Sequence, residues 1–304
     1  MYRFEKTTTP LTGVTKRDNG RRHSHDCGMA IPYMPPLPTA EDWAAFELEV
    51  QRRRGAACFG AAAAHFGTTS PKTLEVRIEQ KRYVTQYDER TSSGKYMRWY
   101  RDGVRPSDAT AARIKERSGG AVDIQYWRDL PLWELLDPTP PPIDRLHQLL
   151  ETMPRGIGRL LFGDSPEWRT PRFVHHILER SEYHAIRNIG SLDAFICLLC
   201  LACKGDLLDH DPSHFTPARC ALDLFPRVVH RYPALAFQWE KLYACLSRIF
   251  WQRAYSNGVG YEFDIEVTRK NLLALQEGRP DDMTLYSGRR TPRDQEQQVI
   301  TTSA

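Results

Sequence analysis

Apolar positions in this chain recur mostly at helical spacing. Thr39 has the chemistry of a helix cap. Glu41 and Asp42 follow it in the first turn, where acidic groups suit the helix dipole, and Trp43, Phe46 and Val50 then share one face. Gly55 reads as a break. The alanines at 61–64 either resume the helix or form a loose connector. Farther on, Asp144 predicts a helix start and Pro154 its end, and Thr170-Pro171 opens a helix that runs to Gly190 with Phe173, Val174, Ile177, Leu178 and Ile186 as its apolar residues. Ser191 caps a very apolar helix that ends at Lys204-Gly205. Thr216-Pro217 repeats the start signal, and Pro226 should kink or break the helix it opens. The longest helix is expected from Pro233 to Asn257-Gly258, with Leu235, Trp239, Leu242, Leu246 and Ile249 down one face, and a last one from Asp264 to Glu277. No alternating strand pattern intervenes, so the predicted fold class is all-α, a bundle or a short stack of helix pairs.

Composition adds boundaries to this picture. Residues 1–38 are polar, basic and dotted with proline, including Pro32, Pro35, Pro36 and Pro38, and read as a disordered arm. The segment 279–304 reads as a disordered tail. The run Asp137-Pro138-Thr139-Pro140-Pro141-Pro142 favours extended backbone and suggests a spacer. The expected order is thus an arm, a helical connector at 39–70, a basic unit at 71–136, the linker at 137–142, a helical domain at 143–278 and the tail. No stretch approaches the about 18 apolar residues needed to cross a bilayer, and the first residues lack the apolar run of a signal peptide. A cytoplasmic protein without a membrane partner is the expectation. Seven cysteines, an odd number with three clustered in an apolar segment, fit reduced core thiols better than a disulfide framework.

Charge singles out one region. From Pro71 to Gly120 there are twelve Lys and Arg against seven Asp and Glu, an excess of five, whereas the whole chain carries +4. Within it, Lys95, Arg98, Arg101 and Arg105 recur every three or four residues, the spacing of a helix stripe. Such a stripe is either a solvated face or a set of contacts to nucleic-acid phosphates. A short aromatic and basic helix over 93–102, with Trp99 and Tyr100, stops at Gly103. Pro106-Ser107 starts the next helix, to which Ala109, Ala112 and Ile114 give an apolar side.

This arrangement resembles the second half of a phage-repressor (Cro-like) helix-turn-helix over roughly residues 80–117. Trp99 or Tyr100 stands at the aromatic position that closes the recognition helix, with Gly103, Pro106 and Ser107 as punctuation. The loop is shorter than the family's usual one, and Lys81–Tyr87 offers Tyr83, Val84 and Tyr87 where that family has a leucine-alanine pair. Together with Pro131-Leu132-Trp133, the segment also resembles bacterial proteins that carry it ahead of a helical domain. The resemblance implies a DNA-binding regulatory protein whose basic unit contacts double-stranded DNA. The C-terminal helical domain would then dimerise or bind a protein partner. On that reading Arg98 and Arg101 read bases, because Arg grips guanine bidentately, while Lys95 and Arg105 neutralise phosphates. A protein-interaction adaptor without nucleic-acid binding is the alternative.

Other constellations carry less. Cys197, Cys200 and Cys203 have the spacing of iron–sulfur ligands, but the leucines between them make them small core residues on one helix face. Cys200, Cys203, His210 and His214 match a zinc site by residue type and rough spacing, yet Asp209, Asp211, Pro212 and Ser213 mark a polar loop where histidines are commonly solvated. The two tryptophans of 126–136 are expected to pack onto the basic unit. No nucleophile elbow, phosphate loop, zinc-protease or dinucleotide motif is present, and no cofactor, metal or catalytic residue is expected.

Overall fold

The computed structural model describes residues 39–80, 93–163, 178–251, 255–256, 259–260 and 263–279. The expected arm, nearly all of the expected tail, the start signal at Thr170-Pro171 and the segment Lys81–Tyr87 lie outside them. The fold is all-α, as the apolar periodicity requires. Among the described residues, the single strand pairing is the short antiparallel pair of β1 (Tyr255–Ser256) and β2 (Val259–Gly260). No described helix is long and apolar enough to cross a membrane.

The longest described helix is α1 (Ala40–His65), at 26 residues. Its start obeys the sequence signal. Thr39 accepts from the Asp42 amide while the Asp42 carboxylate accepts from the Thr39 amide, a capping box. Gly55 does not break it. A Cβ at Gly55 would lie 1.9 Å from the backbone oxygen of Trp99, and one at Gly60 would lie 2.9 Å from that of Ala234. The small residues of α1 are where two other segments approach its backbone, a use of glycine unrelated to helix breaking.

α1 joins two apolar clusters. The smaller gathers Cys58, Phe59, Ala62 and Ala63 of α1 with α2 (Pro71–Glu79), α3 (Lys95–Asp102), α4 (Asp108–Arg117) and α5 (Ile124–Arg128). Leu74, Ile78, Tyr96, Trp99, Ile114 and Ile124 fill it, each at most 3% exposed. The larger takes Phe46, Val50 and Ala57 of α1 and runs on through α6 (Pro131–Leu135), α7 (Ile143–Glu151), α8 (Arg155–Phe162) and the later helices. The clusters therefore divide between Ile124 and Leu130, ahead of the expected spacer at 137–142. Contacts gather the described residues into one compact unit. Leu132 and Trp133 are buried, and the Trp133 indole donates to the Trp127 carbonyl at 2.8 Å; Trp127 is half-buried against both clusters, but Trp133 packs in the larger one and not onto the basic unit.

Three expected boundaries move. α10 (Leu192–Leu207) is capped by Ser191 as its sequence implies, but it continues through Gly205, where a Cβ would meet the His214 amide nitrogen at 2.4 Å. α11 (Asp211–Arg231) starts ahead of Pro217 and contains both Pro217 and Pro226. An interior proline costs about 3 kcal/mol. Ala218, Leu222, Leu224, Phe225 and Val228, all fully buried, offset that through packing, chiefly on α10. The long helix expected from Pro233 is in fact α12 (Pro233–Ala236), α13 (Trp239–Leu246) and a π-helical turn, Ser247–Trp251. The break falls at Gln238, whose φ is +60°; there Phe237 packs on Phe59 and Tyr100, and Arg53 holds the Gln238 side chain. α9 (Arg180–Ile189) stops at Gly190, and α14 (Ile265–Gln276) is capped by Asp264, both as read from sequence.

Candidate nucleic-acid interface

α3 is short and strongly two-faced. Gly94 and Gly103 flank it with φ of +66° and +74°, left-handed conformations that glycine adopts without strain. Tyr96 and Trp99 point into the smaller core. Arg98 and Arg101 lie on the opposite side and are exposed. Lys95 sits at the border between the faces, with a quarter of its side chain exposed. After the loop, the Ser107 hydroxyl accepts from the Thr110 amide at 3.3 Å, the cap implied by Pro106-Ser107. α4 buries Thr110, Ala111 and Ile114; the expected apolar positions Ala109 and Ala112 face solvent.

The four basic residues differ in how they are held. Lys95 pairs with Glu79, which also binds Arg113 and accepts from the Tyr96 hydroxyl at 3.2 Å. Burial pushes the Glu79 carboxyl up, but these partners outweigh it and hold it below the usual carboxylate range. Burial and the Glu79 charge keep the Tyr96 phenol protonated. Arg101 forms a two-bond contact with its neighbour Asp102, at 2.8 and 3.2 Å. Arg105 donates to Asp129 at 2.9 Å. Arg98 has no ion pair among the described residues.

Beneath the loop at 103–107 lies a buried Arg128, 8% exposed. It donates to the Pro106 carbonyl at 3.1 Å and to Asp108 at 2.6 Å, and it grips Asp129 through Nε and Nη2. The hydrogen bonds of Asp129 and Asp108 hold its guanidinium firmly charged. Arg128 thus fixes the loop and, through Asp129, orients Arg105. Periodicity gave no hint of this residue, nor of Glu79, because apart from the Arg128–Asp129 pair both act through partners 16 to 34 residues distant in sequence.

The other constellations resolve as packing. Cys197, Cys200 and Cys203 are at most 3% exposed, and burial pushes their thiols up. His214 turns Nδ1 to Asp206 at 2.8 Å and Nε2 to the Phe250 carbonyl at 2.9 Å, while His210 bonds Ser213. No group of three or more His, Cys, Asp or Glu among the described residues is placed to hold a metal ion. Compared with known protein families, characterised proteins and solved structures, the chain matches none.

Proposed function

We propose that this is a DNA-binding protein whose α3 and following loop form the contact surface. The observation that carries the reading is the orientation of α3. Its aromatic face is sealed in the core, so Arg98 and Arg101 project outward from a rigid support, with Arg105 beside them on a loop pinned by Arg128. Cations presented this way can replace the counterions of duplex phosphates. Arg98, which has no ion pair to give up among the described residues, is the strongest contributor. Arg101 and Arg105 exchange an exposed carboxylate for a phosphate, a trade between solvated pairs that costs little. Lys95 contributes least, because leaving Glu79 would strip a carboxylate whose side chain is only 8% exposed.

The test is fluorescence anisotropy of labelled duplex DNA with the full chain over a salt series. Log affinity should fall linearly with log salt. Arg98→Ala should weaken binding most and lower the slope by about one. Lys95→Ala should change it least. An absence of salt-dependent binding at low ionic strength would remove the DNA reading and leave the adaptor.

A further inference from the structure

A second cationic cluster lies where α9 packs on α11. Arg180, His184 and Arg187 follow at i, i+4 and i+7 on α9 and so share one face. Opposite them on α11 stand Arg219, Cys220 and Asp223. Arg187 donates to Asp223 at 3.2 Å, the Arg219 Nε lies 3.7 Å from the other carboxylate oxygen, and the Cys220 Sγ lies 3.7 Å from the His184 Nδ1.

We infer that this cluster binds a phosphate-like dianion, either inorganic phosphate or a small phosphate monoester. Charge points that way. Two guanidinium groups, Arg187 and Arg219, hold one carboxylate, and Arg180 adds a third cation that acts on His184 and Cys220, a local excess of positive charge among the described residues. The Asp223 carboxylate lies beneath the surface, its side chain 6% exposed. The charged groups that act on His184 are cationic: Arg187, Arg180 and Arg219, in that order, add to burial in holding its imidazole below the ordinary value. The ring is therefore neutral at pH 7 and repelled from taking a proton. Arg180 is exposed, while Arg219 and His184 are half-buried, so the cluster opens to solvent. Guanidinium forks match tetrahedral oxyanions bidentately, which favours phosphate over chloride. Cys220 is a bystander: burial, with Asp223 adding to it, pushes its thiol up to about 12, which leaves no thiolate nucleophile at neutral pH. The site is independent of the α3 surface, and its test contains no nucleic acid.

Seating a dianion beside His184 offsets the cationic field around it, so binding should raise the imidazole pKa and take up protons. The experiment is calorimetric titration of the full chain with sodium phosphate and, separately, with adenosine monophosphate, against sodium chloride at matched ionic strength. Histidine side-chain NMR then follows the titration of His184 with and without phosphate. Saturable phosphate binding and an upward-shifted His184 titration are expected. Tighter binding of the nucleotide would identify a monoester as the ligand, and equal or weaker binding would identify the free ion. Arg219→Gln should weaken binding about tenfold or more. Because that residue is half-buried, Arg180→Ala is the companion variant: it is exposed, should fold as the wild type does, and should also weaken binding. Phosphate behaving like chloride, or full binding by folded Arg180→Ala, overturns the proposal.

Discussion

The contact between α1 and α3 can be tested with one methyl group. In Gly55→Ala the new Cβ would stand 1.9 Å from the Trp99 oxygen and 2.4 Å from its carbonyl carbon. A close carbon–oxygen contact is about 3.3 Å, so α3 must retreat by about 1.4 Å or α1 must bend. Two effects oppose each other. Alanine is the better helix former by about 1 kcal/mol, which alone would stabilise α1. Against it, overpacking costs about 1–3 kcal/mol. The retreat also opens a gap around Tyr96 and Trp99, which are 1% and 3% exposed. A radial gap of about 0.5–1 Å already forfeits a quarter to a half of each atom-pair attraction there. Clash and gap together outweigh propensity, and with the gain of about 1 kcal/mol set against them a net loss of up to about 2 kcal/mol is expected. Urea denaturation followed by both tryptophan fluorescence and far-ultraviolet circular dichroism measures it. Melting should fall by about 2–4 °C per kcal/mol lost. A variant as stable as the wild type, or stabilised by the propensity gain, would refute the close approach. Since α3 carries Arg98 and Arg101, the same variant reports how strictly their placement depends on α1.

Four further outcomes are expected. Both ring nitrogens of His214 face acceptors, Asp206 and the Phe250 carbonyl, which requires the charged ring. Burial pushes its pKa down, but the Asp206 hydrogen bond and charge, with the carbonyls of Phe250 and Ala202, hold it above 6.5. Its contribution is fully present below the unfolded value and is lost as pH rises through the raised one. The stability gap between wild type and His214→Asn should therefore be wider at pH 6 than at pH 9, and a pH-independent gap would show a neutral ring. Arg128→Met should cost about 1–3 kcal/mol by orphaning the Pro106 carbonyl and should speed amide exchange across 103–107; unchanged exchange there would deny Arg128 its hold on the loop. Cys197→Ala or Cys200→Ala should cost about 1 kcal/mol or somewhat more through lost packing, measured by urea denaturation. In the wild type, Cys197, Cys200 and Cys203 should resist a thiol reagent until the chain unfolds, and rapid labelling of the folded protein would contradict their burial.

Local chemistry was legible in the sequence wherever a signal is satisfied by near neighbours. Thr39, Ser107, Ser191 and Asp264 all cap helices, and Gly103 and Gly190 end them, because a cap is closed by an amide or carbonyl within a few residues. The amphipathic stripe of α3 was readable for the same reason: helix geometry alone puts Arg98 and Arg101 opposite Tyr96 and Trp99. Tertiary structure decided everything that depends on the partner across a contact. Gly55 reads as a break, and the alanines at 61–64 as either a resumed helix or a connector. The helix runs through all of them, and Gly55 and Gly60 are where α3 and α12 need a residue without a side chain. Thr216-Pro217 signals a helix start and Pro226 a kink or break, but packing on α10 outweighs the local cost of both prolines. Pro233 opens a long periodic run, yet Phe59, Tyr100 and Arg53 break it at Gln238. The ion pairs that distinguish Lys95, held by Glu79, from Arg98 join residues far apart in sequence, and no periodicity encodes them. Local signals fix where a helix is able to begin and end. Burial, worth more per residue than any single signal, fixes which of those sites are used.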